Sequence, residues 1–155
     1  MRRKDREVTD IHQQLDILKK CKVCRLAMQD AQGLYIVPMN FGYEYRDEKL
    51  TLYFHGAREG RKIRALEHGL IVAFEMDCEG ELRKGEIPCA YGYAYKSLMG
   101  TGRAVLVKET EEKKKALSLL MMHQTGRKFC FTDQQTESVA VIRVEADGMT
   151  AKCRE

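Results

Sequence analysis

The segment LYFHGAREGRKIRAL, residues 52–66, concentrates residues whose types and spacing suit chemistry. His55 and Gly56 close an apolar run, and Gly60 precedes two cations, Arg61 and Lys62. Ile63, Leu66 and Leu70 follow at the spacing of one buried helical face, and Gly69 stands where a C-terminal cap belongs. Both cations therefore fall in the first turn of a short helix. The helix macrodipole makes that end positive, so a cation there costs about 0.3 to 1 kcal/mol unless an anion joins it. Turn glycines let backbone N–H groups approach such an anion, and a phosphate suits the pattern. The alternative is that Arg61 and Lys62 point into solvent and Gly56 only permits the turn. The spacing does not match a P-loop.

A second group is Tyr91, Tyr93, Tyr95 and Ser97, which share one face of a strand. Aromatic rings at period two can stack on a flat ligand or a partner subunit, and equally on a core. Asn40, opposite an apolar strand face, could read the polar edge of a heterocycle. Cys21 and Cys24 form a single C-x-x-C with no second pair to complete a zinc site, so no metal is expected. His12, His68 and His123 fall in helices without an evident Ser, Cys or Asp partner and are expected at the surface or its boundary. His55 differs because it belongs to the anion turn.

The elements that must position these residues are short. Thr9 and Asp10 are candidate caps of a helix reaching about Cys21, with Ile11, Leu15 and Leu18 on one face. CRLAMQD and LYIVPMNFGYEY flank AQG as a hairpin would, with Tyr35, Val37, Met39, Phe41, Tyr43 and Tyr45 on one face and Asn40 and Gly42 on the other. Pro38 has no N–H to donate, which places it at an edge or a bulge. DEKLTLYFHG and LIVAFEMD add two strands, CEGELRKGEIPC reads as a surface loop, and YGYAYKSLMGTGRAVLVKE is a long strand carrying Gly100 and Gly102. TEEKKKALSLLMMHQTG is the clearest helix, with Thr110 as its cap and Gly126 past its end; Asp147-Gly148 then predicts a hairpin turn. Six or seven mostly antiparallel strands suggest a sheet closed into a small barrel.

At 155 residues the chain is expected to form one domain, 1–155, large enough to bury a substantial core. With 32% charged residues, no stretch approaches the roughly 18 consecutive apolar residues of a membrane helix. The charged opening MRRKDREVTD lacks an apolar signal core, so a cytoplasmic location is expected. The net charge of +4 is dispersed, with MRRK and EEKKK the only dense runs, which argues against a nucleic-acid partner. Cys21, Cys24, Cys78, Cys89, Cys130 and Cys153 are irregularly spaced and read as reduced thiols.

In this order, RRKDREVTD, CRLAM, YIVPMNFGY, LYFHGAREGRKIRAL, VAFE, YKSLMGTGRAV and VAVIRV resemble the pyridoxamine 5′-phosphate oxidase-like split barrels, and within them the flavoproteins related to 5-nitroimidazole resistance proteins. The fragments cover nearly the whole chain. The resemblance implies a mainly β fold, a six-stranded antiparallel split barrel of Greek-key type with flanking helices, forming a homodimer with FMN at the subunit interface. It implies that Arg61 and Lys62 hold the FMN phosphate and that His55, Gly56, Ala57 and Gly60 shape the turn around it. Val37, Pro38, Met39 and Asn40 would run along the isoalloxazine ring, with Tyr95, Ser97 and Leu98 contributed by the second subunit. The implied activity is FMN-dependent reduction of a small electron-poor substrate such as a nitroaromatic, with His55 as the catalytic candidate. The alternative is a non-catalytic flavin or haem carrier or sensor. Residues that would recognise pyridoxamine phosphate are not evident, which argues against the oxidase activity itself.

Overall fold

The computed structural model describes residues 3–155; Met1 and Arg2, half of the basic run MRRK, lie outside them. A two-residue strand β1 (Glu7–Val8) leads into α1 (Ile11–Lys20). The Asp10 carboxylate caps α1 by accepting from the His12 backbone N–H at 3.1 Å, and Ile17 and Leu18 are buried on its inner face. Then follow β2 (Val23–Asp30), β3 (Gly33–Arg46), β4 (Lys49–Gly56), the five-residue helix α2 (Arg61–Ala65) and β5 (Leu70–Arg83). The chain ends with β6 (Gly92–Leu106), α3 (Thr110–Thr125), α4 (Asp133–Glu137) and β7 (Ala140–Arg154). Among the described residues no helix is long and apolar enough to cross a membrane.

The strands form one antiparallel sheet in the order β1-β7-β4-β3-β2-β5-β6, and β6 returns to pair with β7. Strands β2 to β7 thus close a six-stranded barrel, as expected, and β1 is an addition along the end of β7. Inward-facing Phe41, Phe54 and Phe74 are almost wholly buried with Leu26, Leu52, Met76, Leu98 and Ile142. At about 1.5 to 3 kcal/mol for each large apolar side chain removed from water, this layer is the main source of stability.

Strand β3 divides its pairing. Gly33 to Asn40 pair with β2, whereas Phe41 to Arg46 pair with β4. The first half of β3 therefore lacks a neighbour on its β4 side, and the barrel is split there. Pro38 lies within this half, where a strand with one open side accommodates a residue lacking an N–H. The alternation expected for β3 is observed, with Met39 and Phe41 buried and Tyr35, Val37, Tyr43 and Tyr45 packed against the core.

Three expectations are corrected. Asp147-Gly148 is not a hairpin turn, because β7 runs unbroken from Ala140 to Arg154. Strand β6 lies beside it on both sides of the pair, Thr101 opposite Gly148 and Gly102 opposite Ala146, so Asp147 is absorbed as a one-residue bulge. Staying in register with a long partner retains ladder bonds that a turn would forfeit. Thr110 is the first helical residue of α3 and not its cap; extended Glu109 holds that place, its carbonyl accepting from the Lys113 N–H at 3.0 Å. The segment CEGELRKGEIPC is only partly loop, since β5 continues to Arg83 through a bulge at Cys78/Glu81 and pairs Leu82 with Tyr93.

Helix α3 lies against the outside of β3, and Gly42 is the point of contact. A Cβ at Gly42 would stand 2.3 Å from the Leu120 backbone N and 2.5 Å from its Cα, so the helix axis could not keep its place. Replacing Gly42 by Ala is expected to lower stability by about 2 to 3 kcal/mol, the cost of overpacking against backbone, and the melting temperature by roughly 5 to 10 °C. At Gly148 no atom lies within 4 Å of an added Cβ, and Gly148→Ala serves as the control. Equal melting temperatures for the two variants would contradict this account of α3 docking.

Candidate functional site

The split in the barrel is bordered by the open edge of β3, the end of β4 and α2. At the end of β4, His55 is exposed and Gly56 half-buried, paired with Val141 and Ala140 of β7. Ala57 is exposed in the following turn, and Gly60, with φ of 125°, is the N-cap of α2; its carbonyl accepts from the N–H groups of Ile63 and Arg64 at 3.2 and 3.1 Å. Ile63 and Leu66 are buried beneath the helix as their spacing predicts.

The two cations at the start of α2 diverge. Arg61 reaches back to the β2–β3 turn, where its Nε and Nη2 donate to the two carboxylate oxygens of Asp30 at 2.8 Å each. Nη2 also donates to the Gly33 carbonyl at 3.0 Å, and the guanidinium lies 4.1 Å from the centre of the Tyr35 ring. A bidentate, hydrogen-bonded and stacked arginine of this kind is fixed in place. Lys62 turns the other way. An added Cβ at Gly56 would stand 2.9 Å from Lys62 Cε, 3.1 Å from Nζ and 3.9 Å from Met39 Cε, so the ammonium rests across the end of β4 in the space that glycine leaves. Among the described residues Lys62 has no carboxylate within 4.0 Å and donates no hydrogen bond.

Asn40 is held in a separate clasp. Its Nδ2 donates to the Lys22 carbonyl at 3.0 Å and to Gln124 Oε1 at 3.4 Å, while Gln124 Nε2 donates to the Phe41 carbonyl at 2.9 Å. The two amide hydrogens are thus spent on the segment before β2 and on α3, and only the Asn40 side-chain oxygen remains for a ligand. His123 belongs to the same clasp: it pairs with the Cys21 carbonyl at 2.8 Å, its ring 4.6 Å from that of Phe41, and burial pushes its pKa down. It is half-buried, at the boundary as expected.

Met39 and Lys62 meet at Gly56, with Gly60 opening α2 just before Lys62; Val37 packs against the core, Pro38 lies on the open half of β3, and His55 and Ala57 are exposed on either side of Gly56. The structure does not bring Tyr95, Ser97 and Leu98 there within one chain, because β6 pairs only with β5 and β7. Leu98 is wholly buried in the barrel and Ser97 nearly so, so only half-buried Tyr95 offers a side chain. Asp30 is the residue that sequence reasoning missed. Its place just before the β2–β3 turn, where its carboxylate accepts from the Gln32 N–H at 2.8 Å, is a local turn signal that gives no hint of a partner 31 positions away.

Two cavities lie elsewhere. A groove of about 1150 Å³ runs between α1 and the end of α3, with Lys20, Lys22, Lys96, Tyr43 and His123 in its wall. A cleft of about 800 Å³ on the outward sheet face is walled by Arg25, Ala27, Ile36, Ala73, Phe74 and Met99. Neither contains any of residues 55–62. All six cysteines are free thiols, and among the described residues no group of three or more His, Cys, Asp or Glu is placed to hold a metal ion.

A closed antiparallel barrel split along one strand, with flanking helices, defines a split-barrel protein. The sequence profile of the pyridoxamine 5′-phosphate oxidase family matches residues 10–153, and the chain belongs to that family. A candidate 5-nitroimidazole antibiotic resistance protein from Bacteroides thetaiotaomicron shares 33% identity over 94% of this chain and 85% of that one, with a TM-score of 0.80. The fold is also similar to an FAD and haem binding protein from Mycobacterium smegmatis, at 17% identity, 97% and 74% coverage and a TM-score of 0.81. The flavocytochrome Anf3 from Azotobacter vinelandii matches at 19% identity, 100% and 72% coverage and a TM-score of 0.80. No curated protein gives a significant match.

The hydrogen bonds from Arg61 hold the Asp30 carboxyl below the usual carboxylate range. A depressed folded-state pKa contributes stability that is present above the unfolded value, about 3.9 for Asp, and is lost as pH falls through the folded value. Urea unfolding between about pH 5 and pH 3 is therefore expected to show a smaller loss of stability in Asp30→Asn than in the parent chain. Parallel pH profiles would show that the pair is not formed in solution.

Proposed function

We propose that the chain is an FMN-binding flavoprotein that reduces a small electron-poor compound. The observation that carries this reading is the Lys62 ammonium, resting over Gly56 beside an open strand edge and, among the described residues, without a carboxylate partner. A half-buried cation with no internal counter-ion suits a phosphate, and backbone groups along the free side of Val37 to Met39 suit the polar edge of a flat heterocycle. These residues fit a flavin 5′-phosphate. Flavin carried by other proteins of this fold supports the same reading.

When bound, FMN supplies the redox chemistry, while the protein binds, orients and tunes it. Lys62 neutralises the phosphate, and Gly56 keeps the ammonium close to β4. Met39 gives an apolar contact, and the Asn40 side-chain oxygen can accept from a ligand N–H. His55, exposed at the rim, can hold or pass a proton to a substrate. Similarity to a candidate 5-nitroimidazole resistance protein supports a nitroaromatic acceptor. Reoxidation of the reduced flavoprotein by a panel of acceptors, compared with free FMN, tests this; an acceptor that reacts no faster with the protein argues for a carrier.

The chain is further proposed to act as a homodimer. Leu34, Ile36, Ile71 and Met99 are exposed on the outward sheet face. A second copy covering that face would bury them and enclose the flavin. Ile36→Glu is expected to elute as a monomer by light scattering and to lose flavin; an unchanged mass would rule out this interface.

The flavin reading is tested by denaturing the purified protein and identifying the released chromophore. Lys62→Gln is expected to weaken FMN by roughly 10- to 100-fold, the worth of a charge-assisted hydrogen bond. Riboflavin, which lacks the phosphate, is expected to bind the variant as it binds the parent. Equal losses for both ligands would place the phosphate elsewhere.

A further inference from the structure

We propose that Asp30 is an internal anion that competes with the flavin phosphate for Arg61, and so sets the preference of this site for phosphorylated over unphosphorylated flavin. The inference rests on the flavin reading above and adds to it a residue that lies outside the turn.

Arg61 and Lys62 are adjacent in sequence but not in use. The guanidinium spends Nε and one Nη2 hydrogen on Asp30, the other Nη2 hydrogen on the Gly33 carbonyl, and one face on Tyr35. Among the described residues only Nη1 is left without a partner. Asp30 is equally committed, since Oδ1 accepts from both Arg61 and the Gln32 backbone N–H. The carboxylate is only 18% exposed and Arg61 33%, so the pair is sheltered from solvent. Two neighbouring cations therefore present one unpaired positive charge. A phosphate at Lys62 meets an arginine that is already neutralised and a carboxylate that repels it through the same guanidinium. Asparagine at position 30 keeps the shape and one acceptor for Arg61, removes the repulsion, and leaves the guanidinium free to turn to the phosphate.

The test is titration of the full-length chain, freed of bound flavin, with FMN and with riboflavin, followed by flavin fluorescence. In Asp30→Asn the ratio of the riboflavin to the FMN dissociation constant is expected to rise three- to tenfold, with riboflavin itself unchanged. In the parent chain Arg61→Gln is expected to cost FMN less than threefold, because the guanidinium is already engaged; in the Asp30→Asn background it is expected to cancel the whole gain. Circular dichroism checks each fold, and Asp30→Ser replaces Asp30→Asn if that variant unfolds. A ratio that stays level or falls when Asp30 is neutralised overturns the proposal, as does a loss above tenfold for Arg61→Gln alone, which would show Arg61 serving the phosphate despite Asp30. These failures are distinct from failure of the flavin reading, in which the parent chain binds neither FMN nor riboflavin.

Discussion

The divided pairing of β3 is the constraint on which the rest of this structure depends. A 14-residue strand is held by β2 over its first half and by β4 over its second, and neither neighbour spans its whole length. The barrel closes elsewhere, through β6 and β7, so the opening costs no more than the ladder bonds of a few residues. It leaves backbone donors and acceptors facing the start of α2. Strand β4 parts from β3 after Phe54 and ends two residues on, at Gly56, where the chain must turn; the turn and α2 then line the opening. Lys62 occupies the gap left by a missing side chain at that same residue.

Charge is arranged with the same economy. The doublet at the start of α2 reads, in one dimension, as two cations waiting for one anion. In three dimensions the side chains part. Arg61 ties the helix to the β2–β3 hairpin, a link between residues 31 apart that sheltering makes firmer than an exposed ion pair. Lys62 rests over Gly56 without a carboxylate partner among the described residues. One residue is engaged with the hairpin and its neighbour lies across the end of β4, though both start the same short helix.

Much of the fold was legible because it is encoded locally. The alternation along LYIVPMNFGYEY, the cap at Asp10 and the glycine after α3 each rest on contacts within a few residues. Asp147-Gly148 misled because its local chemistry favours a turn, while the deciding term is the long ladder with β6 on either side. Gly42 reads as an ordinary strand glycine until α3 is laid across it, and the Asp30 partner of Arg61 emerges only once the hairpin and helix are folded together. At the turn, the short helix, its start at Gly60 and the two cations in its first turn were readable from spacing. The fate of Arg61 and of the Asn40 amide was not, because both depend on groups contributed by distant segments.

The free side of β3 also bears on how molecules of this chain behave toward one another. A strand with unpaired backbone groups invites an extended segment from a neighbour to zip onto it, the usual route to sheet-to-sheet aggregation. Pro38, near the middle of that stretch, has no N–H to offer and interrupts any incoming ladder. The residue that fits the open strand thus also guards it, since the side that needs no donor from Pro38 for the barrel offers none to an incoming strand.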